Sequence, residues 1–109
     1  MSSTDRAVDW FRREHDFIYS RAVTLEYICD YLLHQGLTLV EQRRTPSAHY
    51  LPPAVILVQQ NLAPLVKVFH LVHEFGHHLV ACGRCAPGDP EAFCNRIGRL
   101  VAINLMDYK

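Results

Sequence analysis

Apolar residues recur at helical spacing in four stretches of the chain, and between the second and third stretch they switch to short strand-like runs. From Thr4 to Ile18, Ala7, Phe11 and Ile18 share a stripe with Val8 and His15 beside it, and Asp5 stands in the first turn, where the helix dipole favours an acid. From Thr24 to His34, Leu25, Ile28, Cys29 and Leu32 follow i, i+3, i+4, i+7, with Thr24 suited to cap the start and Gly36 to end the helix. Strand chemistry follows in Leu37–Glu41, in His49–Leu51, which Pro52–Pro53 confines to a sheet edge, and in Ala54–Val58, a β-branched run of the kind covered on both faces. Arg43–Ser47 contains Pro46 and reads as a turn. Connections this short predict a mainly antiparallel sheet.

The third helix is the clearest. Asn61 is placed to cap it, Pro64 suits its first turn, and Leu65, Phe69, Val72, Gly76 and Leu79 mark one face up to an end near Cys82–Gly83. A loop, Ala86-Pro87-Gly88-Asp89-Pro90, precedes a last helix from Glu91 to about Leu105, with Ile97, Leu100, Val101 and Leu105 as its buried stripe. The expected architecture is a single α+β domain spanning residues 1–109: an N-terminal helical part (1–23), then a core (24–107), with about four helices around a small three-stranded sheet.

Charge narrows the function classes. Eleven Lys and Arg balance eleven Asp and Glu in 109 residues. That argues against binding nucleic acid or a membrane surface through bulk charge. No apolar run reaches the roughly 18 residues that span a bilayer. The start, Met1-Ser2-Ser3-Thr4-Asp5-Arg6, lacks a signal-peptide core, so the expected location is the cytoplasm. Cys29, Cys82, Cys85 and Cys94 are accordingly read as thiols or metal ligands rather than disulfides.

The chemistry concentrates in the third helix, which carries His73-Glu74-Phe75-Gly76-His77, an H-E-x-x-H motif. Residues four apart lie one turn apart on one helix face, so two imidazoles there converge on one ion at roughly 2.0–2.1 Å per nitrogen. Glu74 is rotated beside the ion and suits a general base acting on water. A shuffled chain of this composition shows the motif about once in fifty cases, and the alternative is a merely solvated histidine face. A third ligand is needed, and Glu91, opening the helix after the loop, is the best-placed carboxylate.

His73-Glu74-Phe75-Gly76-His77, then Glu91-Ala92-Phe93-Cys94-Asn95 and Leu105-Met106, resemble the ImmA/IrrE metallopeptidase-like family, whose pattern is H-E-[hydrophobic]-[Gly/Ala]-H, E-x-x-A-N and Leu-Met-Pro. The lead-in from Ala54–Val58 to Phe69–Val72 fits as a strand feeding the metal helix, and the resemblance covers about residues 24–107. It implies a zincin-like fold binding one Zn2+ through His73, His77 and Glu91, with Glu74 as base. Asn95 matches the family's polar residue and shares Glu91's face, where it could orient an imidazole. Members typically cleave a specific repressor-type DNA-binding protein, in phage, mobile-element or stress circuits. Cys94 replaces the usual Ala, Ile97 stands near a usual Phe, and Asp107 follows Leu-Met in place of Pro. The C-terminal helices of longer members are missing, which motivates the alternative of a non-catalytic zinc module that binds a repressor or toxin partner.

Other residues have plainer readings beside the functional ones. His70 shares nearly the same face as His73 and His77 and is a group behind the ligands, an alternative ligand, or, as the plainer reading, a partly buried polar neighbour. His49 and Tyr50 are candidates to stabilise an oxyanion, with strand packing as the alternative. A second, structural zinc would take His78, Cys82, Cys85 and Cys94, whereas the commoner outcome for Cys82-Gly83-Arg84-Cys85 is a pair of thiols in a helix-ending turn. An edge strand at His49–Leu51 beside the metal helix would suit an extended peptide.

Overall fold

The computed structural model describes residues 1–16, 24–44 and 47–107, with side chains to residue 104. Among the described residues four helices pack with one three-stranded sheet: α1 (Ser3–Glu14), α2 (Leu25–His34), β1 (Thr38–Gln42), β2 (Ala48–Leu51), β3 (Val55–Gln59), α3 (Pro64–Ala81) and α4 (Pro90–Asp107). The α+β class and the helix count match the pattern of the sequence. Ile18 and the expected end of the first helix lie outside the described residues, as do Thr45 and Pro46 of the expected turn.

Local chemistry sets most helix ends. Ser2 caps α1 through a reciprocal pair with Asp5: the Ser2 hydroxyl accepts the Asp5 N–H, and the Asp5 carboxylate accepts the Ser2 N–H. Thr24 caps α2 by accepting the Tyr27 N–H at 3.1 Å. Gly36 (φ 87°) and Gly83 (φ 71°) follow the ends of α2 and α3 in the left-handed region that side chains resist. Asn61 does not cap α3. The cap position falls two residues later, at Ala63, without a side-chain cap, because Pro64 at the first helical position has its φ preset and no N–H to satisfy.

The sheet is mixed rather than mainly antiparallel. Its order is β1-β3-β2, with β1 parallel to β3 and β2 antiparallel to it. Residues 43–54 carry the chain across between the parallel strands, about the dozen residues such a crossover needs, and β2 lies inside that crossover. The tight turn after β2 sends β3 back between its two predecessors. β2 is therefore an edge strand, as Pro52–Pro53 predicts. The expectation that the third strand is covered on both faces fails: Ile56 and Val58 are fully buried towards the helices, but Val55 and Leu57 on the opposite face are only half-buried.

The core lies between the sheet's inner face and the helices. Phe11, Phe75 and Phe93 are fully buried, and Phe11 meets the other two edge-on at 6.3 and 6.4 Å, tying α1 to both long helices. Such pairs contribute about 0.5–1.5 kcal/mol each beyond area burial. The buried arc of α3 runs through Val68, Leu71, Val72, Phe75, Gly76 and Leu79, wider than the predicted stripe, while Leu65 and Phe69 sit at its margin. A helix with neighbours on several sides has no single apolar stripe. On α4 the fully buried residues are Phe93, Cys94, Ile97 and Val101, with Leu100 half-buried. No helix among the described residues is long and apolar enough to cross a membrane.

Candidate metal centre

Two close approaches set α4 against α3. A Cβ built on Gly76 would lie 2.7 Å from Cys94 Sγ and 3.0 Å from Ile97 Cδ1, and one built on Gly98 would lie 3.0 Å from Phe69. The helices thus touch where each lacks a side chain. The start of α4 is anchored by Asp89, whose Oδ1 accepts the Ala92 N–H at 3.1 Å and whose carbonyl accepts the Phe93 N–H at 3.0 Å. Glu91, in the first turn of α4, is thereby set against the histidines of α3.

The result is a three-residue cluster. One ligand atom each from His73, His77 and Glu91 all lie within 4.8 Å of one another, the one such group of three His, Cys, Asp or Glu among the described residues. Glu91 Oε1 is 2.7 Å from His77 Nε2, and Glu91 Oε2 is 3.4 Å from His73 Nε2. Tetrahedral ligands at 2.0–2.1 Å from one zinc stand about 3.4 Å apart. A closed metal triangle would therefore need only small side-chain adjustments, and the donor set of two imidazoles and a carboxylate suits zinc. The side chain of Glu91 is 65% exposed, which leaves the cluster an open side.

Glu74 occupies the other wall. It is buried, with Oε2 3.7 Å from His73 Nε2, while Oε1 accepts the backbone N–H of Tyr50 at 2.8 Å. This amide is available because of strand register. The Gln59 N–H bonds the Ser47 carbonyl, so residues 47, 49 and 51 face β3, and the amides of Ala48 and Tyr50 point to the free edge. A cleft of about 520 Å3 runs between this edge and α3, lined by Ala48, His49, Tyr50, Pro52, Val80 and Ala81 together with His73, Glu74, His77 and Glu91.

The remaining candidates divide. His49 is exposed on the cleft wall. The buried Tyr50 side chain turns away: its hydroxyl donates to the Pro53 carbonyl at 2.8 Å and lies 3.0 Å from His78 Nδ1, and burial raises its pKa. The part of Tyr50 that meets the site is its backbone N–H, which the sequence reading missed; the alternation of a β edge was the available signal. His70 stands outside the triad, edge-on to Phe69, with its pKa lowered first by burial and then by the neighbouring His73. Asn95 is half-buried and does not supply a partner to His73, whose Nδ1 is buried with no hydrogen bond.

The four residues considered for a second zinc do not converge. His78 Nε2 comes within 3.6 Å of Cys82 Sγ, but Cys94 is fully buried in the α3–α4 contact and Cys85 is half-buried. Burial pushes the Cys94 thiol well up and raises Cys85 as well. All four cysteines are free thiols. No family model matches the chain, nor does any curated protein or solved structure.

Proposed function

We propose that this chain is a zinc-dependent metalloendopeptidase of zincin type, acting in the cytoplasm on a specific protein such as a helix-turn-helix repressor. The observation that carries the reading is the convergence of His73, His77 and Glu91 with Glu74 beside them, all opening on one cleft. The substrate class rests on the resemblance of His73–His77 and Glu91–Asn95 to the ImmA/IrrE pattern.

In this scheme the chain's own groups divide the work. A bound zinc ion supplies Lewis acidity and lowers the pKa of water towards about 7. Glu74 takes the proton; the Tyr50 N–H holds one of its oxygens, leaving the other on the His73 side for transfer. Ala48, with amide and carbonyl directed to the free edge, aligns an extended peptide as an added strand. His49 is the side chain left on the cleft wall to stabilise the developing oxyanion, since the Tyr50 hydroxyl is engaged elsewhere.

The test is Glu74→Gln. It removes the base and keeps His73, His77 and Glu91, so zinc content stays at one ion per chain while cleavage of a candidate repressor falls by about 10²–10⁴. Gel analysis of the partner, with zinc and with a chelator, reads the outcome. Undiminished cleavage by the zinc-loaded variant refutes the assignment of the base. An intact partner in a stable complex with the wild-type protein favours the non-catalytic binding module.

A further inference from the structure

Glu91 is the most exposed member of the triad, and the side-chain contacts that fix it are those to His77 at 2.7 Å and His73 at 3.4 Å. Its position otherwise depends on the backbone of the loop that delivers it. That loop is held from the far end of the chain. The Ser3 hydroxyl accepts the Gly88 N–H at 2.8 Å, and the Thr4 hydroxyl accepts the Asp89 N–H at 3.0 Å, each across 85 positions of sequence. Asp89 is the residue that caps α4, two before Glu91. About two turns further along α4, Arg96 pairs with Asp5 at 2.7 Å. The fit at the latch is close, for a Cβ on Gly88 would lie 2.6 Å from Ser3 Oγ.

We infer that Ser3 and Thr4 are positioning residues for the third metal ligand: the first turn of α1 latches consecutive amides of the 86–90 loop and so sets where Glu91 meets the two histidines. This deepens the proposed metal centre and rests on it. The hydroxyls act through the backbone and touch neither metal nor substrate. Thr4 is buried, so its bond is shielded from competing water, whereas the Asp5–Arg96 pair is half-exposed and contributes less. Both bonds join hydroxyls to amides that precede a helix, where N–H groups have no partner within the helix.

The experiment measures zinc affinity by competition with a chromophoric chelator in the full chain. Ser3→Ala combined with Thr4→Val removes both acceptors while keeping the buried volume of Thr4. Gly88→Ala opens the latch from the loop side. Each weakens zinc binding by about ten-fold or more, the usual effect of losing a group that orients a ligand. The conservative pair Ser3→Thr and Thr4→Ser, which keeps the hydroxyls, stays near wild type. A general loss of stability does not produce the decisive result: in a Glu91→Ala background the Ser3/Thr4 double variant causes no further loss of affinity. Should the double variant fail to fold, the two single variants serve, each with part of the effect.

Unchanged affinity in a folded Ser3/Thr4 variant overturns the inference and leaves the metal centre standing. So does an equal loss with and without Glu91. A wild-type chain that takes up no zinc, or a Glu91→Ala chain that binds zinc as tightly as wild type, overturns the metal centre and the latch together.

Discussion

Gly76 sits inside the H-E-x-x-H motif, and the structure says what a methyl group there would meet. The new Cβ would stand 2.7 Å from Cys94 Sγ, 3.0 Å from Ile97 Cδ1 and 3.3 Å from Cys94 Cα. The first distance is shorter than any ordinary contact, and the short Cys94 side chain is fully buried between the two helices. Overpacking of this kind costs about 1–3 kcal/mol. Replacing glycine by alanine inside a helix returns about 1 kcal/mol of propensity. Gly76→Ala alone is therefore expected to destabilise by about 1 kcal/mol, which lowers Tm by about 4–8 °C in a domain near this size. The sign reverses once the sulfur is removed. In a Cys94→Ala background the main clash is gone, the flexible end of Ile97 can shift, and the same substitution stabilises by a few tenths to 1 kcal/mol. Urea unfolding of the four proteins of this cycle, with m-values compared to confirm two-state behaviour, gives the coupling directly. Destabilisation of the same size in both backgrounds refutes the claim that Gly76 and Cys94 are matched in size.

Two further outcomes follow from buried groups elsewhere. His15 is buried, hydrogen-bonded to the Tyr31 hydroxyl, with its pKa lowered chiefly by burial. The unfolded chain thus binds a proton that the folded chain resists, so stability falls as pH drops below the unfolded value of about 6.5, and urea unfolding of the metal-free protein at pH 7.5 and 5.5 shows a smaller drop in His15→Phe than in wild type. Lys67 is nearly buried and pairs with the half-exposed Glu41 at 2.5 Å. Glu41→Gln is expected to cost about 1–2 kcal/mol by leaving a buried ammonium without its partner, less than for a fully buried pair, while Lys67→Met costs less than Glu41→Gln; the reverse order in denaturant melts refutes this.

What the sequence made legible and what it hid separate along a physical line. His73 and His77 were readable because the four-residue spacing of a helix fixes their relation without any knowledge of the rest of the fold. Glu91 was readable because a Pro/Gly loop before a second helix limits where that helix can start. The edge position of β2 was written in Pro52–Pro53. The strand order was not, because pairing depends on which neighbour closes first, and no residue in 43–54 declares that β3 will enter between β1 and β2. The Tyr50 N–H on Glu74 and the Ser3 and Thr4 hydroxyls on Gly88 and Asp89 were hidden for a related reason. Each joins a side chain to a backbone group, and a backbone amide carries no identity in the sequence. The residues that would do chemistry are marked by type and spacing, whereas the groups that aim them are peptide N–H donors whose usefulness only the assembled fold creates. Substitutions at Ser3 and Thr4, which look like ordinary helix-start residues, therefore test the assembled geometry more sharply than any change within the motif itself.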